Sequence, residues 1–185
     1  MDTRFTGMAS LEFIPLIWVF LLFTVLHELE EWNINAFERR HFSGVPDYAT
    51  DHSARGVIAF VCFVGLIWSS AAALSGDPAV AAWIIVPAFF FMIMNAFQHV
   101  YWSVLFRRFA PGIFSAVLLI IPFGTYMILR AIAQGYVPAW YAGVWTVIFA
   151  SVWILTVRAG SKMTDFIRGV YGIGHWISER IPAGK

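Results

Sequence analysis

The chain has 185 residues, of which 60% are hydrophobic and 18% aromatic, and only 12% are charged. Soluble domains carry about 25% charged residues, so water is excluded as its main solvent. A formal net charge of +1 gives no reason to expect a nucleic acid or an acidic partner, and a single cysteine, Cys62, excludes an intramolecular disulfide and thiol-pair redox chemistry.

A bilayer-spanning helix needs about 20 mostly apolar residues. Five runs meet that requirement in chain order: Leu11–Trp32, Val57–Leu74, Ala79–Phe106, Gly112–Ile132 and Ala139–Val157. The expected fold is therefore all-α, a polytopic membrane bundle of about five transmembrane helices occupying residues 1–160. The runs are separated by the polar stretch Glu38–Arg55, the turn Ser75-Gly76-Asp77-Pro78, the pair Arg107-Arg108 before Pro111-Gly112, and Gln134-Gly135 before Pro138. The first run follows Arg4, but the polar block behind it is no small-residue cleavage site, so this run is expected to be retained. Pro15, Pro87 and Pro122 are expected to mark kinks, which membrane helices tolerate when neighbours satisfy the freed carbonyl.

Five spans put Arg4 and Arg130 on one side. On the other lie Arg39, Arg40, Arg55, Arg107, Arg108, Arg158, Lys162, Arg168, Arg180 and Lys185. Two against ten places the N-terminus outside and the C-terminus in the cytoplasm by the positive-inside rule, in the inner or plasma membrane of a bacterial cell. In residues 161–185, Met163, Phe166, Ile167, Val170, Ile173, Trp176 and Ile177 recur at helical spacing opposite Lys162, Asp165, Arg168, Glu179 and Arg180. This segment reads as an amphipathic cytoplasmic tail suited to an anionic membrane surface, although Gly169, Gly172 and Gly174 lower its helix propensity.

The chemistry concentrates in two places. Leu26-His27-Glu28-Leu29-Glu30-Glu31-Trp32 sets one histidine and three carboxylates at the inner end of the first span, where each strongly polar group costs up to about 3 kcal/mol unless partnered. Glu30 and Glu31, at i+3 and i+4, share a face with His27, whereas Glu28 points aside; Thr24, one turn earlier, either orients the imidazole or bonds its own backbone. In the third span Asn95, Gln98 and His99 share a second polar face, which taken alone would be interhelical glue. His27 and Asn95 each lie twelve positions before an arginine pair, and Glu31 and His99 each lie eight before it. At 1.5 Å per residue both motifs fall in one layer about 12–18 Å from the headgroups.

Two imidazoles, two carboxylates and an amide in one layer point to a divalent cation. His27, Glu30, Glu31, His99 and Asn95 are the candidate ligands, with Glu30 and Glu31 interchangeable as ligand or base in catalysis, or both bridging two metals. Zinc fits best, with iron or manganese as alternatives in a mono- or dinuclear site. Gln98, Pro111, Gly112 and Ser115 are candidate substrate contacts, the last three through a helix start that faces an anionic head group or forms a plain turn. Trp32 is read as an interfacial aromatic. His41, Asp51 and His52 are read as loop or cap residues, and His175 as a tail residue.

His27-Glu28-Leu29-Glu30-Glu31, the Asn95-to-His99 NxxxH spacing and Pro111-Gly112, in this order, resemble the HXXEE-domain family of predicted membrane proteins over roughly the first 115 to 130 residues. Ser115 stands later than the family's PG-Ser/Thr pattern would have it, and the resemblance implies the residue set without implying a reaction. The expected function is a membrane metal-dependent hydrolase acting on a lipid or other hydrophobic substrate at the cytoplasmic leaflet. The alternatives are an iron-dependent oxidase or hydroxylase on the same ligands, a metal-ion or proton transporter, and a structural membrane subunit. Transport is disfavoured by the apolar layers separating this polar layer from Glu12 and Asp77.

Overall fold

The computed structural model describes residues 12–180. Arg4, Leu11 and Lys185, which entered the orientation count and the first span boundary, lie outside the described residues, as do the last five residues of the tail. Among the described residues there are seven helices and no strand: α1 (Phe13–Glu30), α2 (Ile34–His41), α3 (Asp51–Leu74), α4 (Pro78–Phe106), α5 (Ile113–Ala133), α6 (Ala139–Ala159) and α7 (Asp165–Ser178). Helices α1, α3, α4, α5 and α6 are long and apolar enough to cross a membrane, so the chain is an integral membrane protein.

Local chemistry explains where the helices begin. Thr50 caps α3 in a reciprocal capping box with Ser53, so α3 starts six residues earlier than the apolar run at Val57, and Asp51 is its first residue rather than its cap. Asp77 caps α4 by accepting from the Ala79 and Val80 amides at 2.7 and 3.0 Å, with Pro78 in the first turn. The first span is shorter than its hydrophobicity suggests: α1 ends at Glu30, and a turn at Glu31 to Asn33 redirects the chain into the short, polar α2. Pro15 lies in the first described turn of α1, where no amide partner is required, so it marks a start and not a kink. Pro122 lies inside α5. It follows a π-helical stretch, Ala116–Ile120, whose wider pairing accommodates the amide that proline lacks.

Helix α4 is the hub, packed by α1, α3, α5 and α6. Its Ile85 and Phe89 meet Ile17 and Phe20 of α1 and Ile120 and Met127 of α5 in the main core, with the Phe20 and Phe89 rings edge to face at 4.5 Å. Lipid tails are as apolar as leucine, so these side chains stabilise the bundle by close packing more than by leaving water. Helix α6 sends Val147, Ile154 and Leu155 outward, a face suited to acyl chains.

At the arginine-rich end a second cluster joins Ile34, Phe42, Ala54, Trp102, Met163 and Tyr171. The loop after α2 is tied to the loop before α7 by hydrogen bonds from Ser43 N to Ser161 O and from Met163 N to Ser43 O, at 2.8 and 3.0 Å. Helix α7 then lies along α3. The two backbones approach so closely at Gly56 and Gly174 that a Cβ on Gly174 would collide with the Ser53 carbonyl. One of the glycines that lowered the helix propensity of this segment is therefore what lets it dock. The helix is amphipathic as expected: it buries Tyr171 on the bundle and leaves Phe166 and Trp176 exposed.

Candidate metal centre

The last turn of α1 and the middle of α4 carry the two polar motifs, and packing of α1 on α4 brings them into one layer. The His27 and His99 rings stand perpendicular with centroids 5.1 Å apart. Glu31, at the C-terminus of α1, places Oε1 3.0 Å from His27 Nε2 and 2.9 Å from His99 Nε2. His27, Glu31 and His99 are all buried, and each offers a ligand atom within 4.8 Å of the others. The amide of Asn95 completes the group, its Oδ1 2.7 Å from His27 Nε2.

Ser115 sets the tautomer of His27. Its hydroxyl lies 2.5 Å from Glu30 Oε2 and 2.8 Å from His27 Nδ1. A carboxylate only accepts, so the serine proton goes to Glu30 and the serine oxygen accepts from His27 Nδ1–H. In a neutral imidazole that assignment turns the unprotonated Nε2 of His27 toward Asn95 Oδ1 and Glu31 Oε1, so that acceptor faces acceptor. A metal cation among the atoms, or a second proton on the ring, removes that repulsion. The remaining partners agree: Glu31 Oε1 and both ring nitrogens of His99 are buried without a hydrogen bond among the described residues. The 2.9 Å approach of His99 Nε2 to Glu31 has the distance of a hydrogen bond but not its direction. Unpartnered buried atoms of this kind cost about 1–3 kcal/mol each, and metal ligation satisfies them.

Gly112 forms the wall over the group. Its backbone is left-handed, φ +87°, and a Cβ there would stand 3.0 Å from His27 Cε1, 3.1 Å from Glu31 Cγ and 3.1 Å from His99 Nδ1. Glycine meets both demands, positive φ and close approach. Pro111-Gly112 thus adjoins the site, as a cover rather than only a turn.

Glu30 does not join the donor group. Its carboxylate receives the Phe114 and Ser115 amides at 3.1 and 2.8 Å together with the Ser115 hydroxyl, an anion held at the start of α5. The Ser115 amide is therefore occupied from within the chain instead of facing an anionic head group. Ser115, and not Thr24, orients the imidazole; Thr24 lines an apolar cavity. Gln98 is buried and reaches Thr156 of α6 at 3.3 Å.

Peripheral candidates lie elsewhere. Asp51 accepts from Asn35 at 2.8 Å, His41 stacks on Phe106, His52 reaches the Ser178 carbonyl at 3.3 Å, and His175 pairs with Glu179 at 3.3 Å. The guanidinium of Arg55 lies 4.9 Å over Trp32.

Sequence reasoning missed the third carboxylate wall. The Glu28 side chain is buried without a hydrogen bond or ion pair among the described residues, and it lines a cavity of about 320 Å³ together with Glu31, Asn95 and Gln98. Glu38 of α2 lines the same cavity and accepts a short hydrogen bond from Tyr171 of α7. Burial pushes the Glu38 carboxyl up to about 7, partly offset by that hydrogen bond, while burial and the Glu38 charge hold the Tyr171 hydroxyl protonated far above its ordinary range. Only the docking of α7 creates this pair, and no spacing within either segment signals it.

A family described as "Protein of unknown function with HXXEE motif" is matched over residues 18–127, more than half of the chain. No curated protein and no solved structure matches.

Proposed function

Because the chain belongs to the HXXEE-motif family, in which His27, Glu30 and Glu31 supply the defining residues, we propose that this segment helps to build the metal site of a membrane hydrolase. The substrate is hydrophobic or lipid-like and is met at the cytoplasmic leaflet. The observation that carries this reading is the buried meeting of His27 Nε2, His99 Nε2 and Glu31 Oε1 with no hydrogen bonds to satisfy the last two. The cytoplasmic assignment rests on Arg39, Arg40, Arg107 and Arg108 closing the helices on the site's side, against Arg130 at the other end.

In this reading His27, His99 and Glu31 hold the ion and Asn95 Oδ1 adds a neutral donor. Mixed nitrogen and oxygen ligation suits zinc first, then iron or manganese. A bound ion of this kind polarises a carbonyl or phosphoryl oxygen and acidifies water. The chain supplies the rest. Glu30 and Ser115 fix the His27 ring and keep its proton on Nδ1, the outer partnership that ligating histidines generally require. Glu28, whose side chain lines the cavity without a hydrogen bond or ion pair among the described residues, receives the proton, a role that spacing alone left between Glu30 and Glu31. Gly112 and the apolar side chains of α7 keep bulk water away.

Two histidines and one carboxylate also form the donor set of non-haem iron oxygenases, so the oxidase reading stands second on the same residues. Elemental analysis of protein purified without added metal separates the two. The hydrolase reading expects zinc and turnover of a fluorogenic long-chain ester that is lost on chelation, restored by zinc, and lost in His99→Ala and Glu28→Gln. Ester turnover indifferent to chelation would overturn it.

A further inference from the structure

Two cavities run in tandem along α1, α3 and α4. The one beside the donor group, about 320 Å³, is lined by Phe166, Val170 and Tyr171 of α7. The other, about 240 Å³, lies deeper in the spans between Phe20, Val64, Trp68, Ile85 and Met92, with Thr24 and Ser69 adding hydroxyl groups. Phe60, Val61 and Phe91 line both, so the two cavities adjoin at these three side chains. Along α4 the distance from Asn95 in the first cavity to Ile85 in the second is ten residues, about 15 Å of helix. The Trp68 indole, donating to the Ile84 carbonyl at 2.6 Å, fixes the far wall.

We propose that this pair of cavities binds a single-chain amphiphile, its hydrocarbon chain in the apolar cavity and its head among the carboxylates. The head is uncharged or cationic and donates hydrogen bonds. The lining selects the head group: Glu28, Glu31 and Glu38 line the first cavity, and no Lys, Arg or His among the described residues does. A carboxylate head would find no cationic side chain of the lining to pair with, whereas a hydroxyl or ammonium head donates to the carboxyl oxygens, Glu28 first. Size decides the chain, since an apolar space of about 240 Å³ adjoining the site's cavity holds one alkyl chain and not the two of a diacyl lipid. This inference rests on the hydrolase reading for what happens to the amphiphile, but its binding is testable separately.

The test uses the full chain in nanodiscs doped with a monoalkylglycerol ether carrying a diazirine at mid-chain. After irradiation, labelled peptides are mapped and metal content is measured on the same sample. Label on Val64, Trp68 or Met92, displaced by unlabelled monoalkylglycerol or alkylamine but not by a fatty acid of equal length, is the expected result; the two competitors also tell a hydroxyl head from an ammonium. Gly65→Leu or, if that chain fails to fold, Ala88→Leu narrows the apolar cavity and should cut this labelling about fivefold or more, the effect of about 1 kcal/mol of overpacking, with metal retained. Label confined to outward residues such as Val147 and Leu155, or equal displacement by the fatty acid, would overturn the proposal. Absence of metal with intact labelling would instead overturn the hydrolase reading alone.

Discussion

Replacing Gly112 by alanine tests the site through a single methyl group. The new Cβ would lie at 3.0 Å from His27 Cε1, 3.1 Å from Glu31 Cγ and 3.1 Å from His99 Nδ1, closer than ordinary van der Waals contact on three sides at once. None of the three can retreat freely: Ser115 holds His27, Glu31 ends its helix, and His99 sits in the middle of α4. Positive φ costs a non-glycine residue about 1–2 kcal/mol, and overpacking adds about 1–3 kcal/mol. The variant should therefore lose about 2–5 kcal/mol of stability, and displaced ligands should weaken metal binding by about 10–100-fold. Gly135 is the matched control, with φ +70° and nothing within 4 Å of a built Cβ, so Gly135→Ala carries the backbone strain alone. Thermal unfolding in detergent and competition with a metal-responsive dye report the two quantities. If Gly112→Ala keeps its metal and melts no lower than Gly135→Ala, the close packing of Gly112 on the ligands is refuted.

Three further outcomes are expected. Ser115→Ala removes the link between Glu30 and His27 Nδ1 while leaving the helix intact, so metal affinity should fall about 10–100-fold with little change in melting temperature; unchanged affinity would remove Ser115 from the site. The Glu38 carboxyl is raised from 4.5 to about 7 in the folded chain, so its proton is held more tightly folded than unfolded. The resulting stability is complete below about pH 4.5 and declines as pH rises to about 7, on the order of 3 kcal/mol in all; Glu38→Gln should flatten that part of the stability profile, and a profile identical to wild type would contradict the burial of Glu38. Gly174→Leu drives a side chain into the Ser53 carbonyl and should detach α7, read as faster tryptic cleavage at Arg168, whereas Gly172→Ala meets nothing within 4 Å and should cleave no faster than wild type.

What the sequence made legible follows from the range of the interactions. Five spans are visible because each is a long apolar run, and the pairing of His27 with Glu31 and the shared face of Asn95 and His99 are visible because i, i+4 neighbours lie on one side of any helix. The shared depth of the two motifs could be counted from the arginine pairs, and the 5.1 Å approach of the two rings agrees with it. Glu30 was not separable from Glu31 by spacing, because what divides them is a tertiary event: α1 stops at Glu30, and the start of α5, 84 residues away, captures that carboxylate. Glu28 seemed to point aside because nothing in its own helix says that α7 will close a cavity there. Glu38 and Tyr171 are 133 residues apart and become partners only through the close crossing at Gly56 and Gly174. The left-handed Gly112 was visible only as a turn signal, since the reason for the glycine lies in the two other helices that it touches.

X-ray absorption at the metal edge of the purified full chain is the most direct measurement of the ligand set. The expected spectrum has imidazole scattering from two histidines and nitrogen or oxygen donors at about 2.0–2.2 Å, with one imidazole lost in His99→Ala. A metal-free wild-type chain, or a spectrum without histidine scattering, would contradict the central claim that α1 and α4 share one cation.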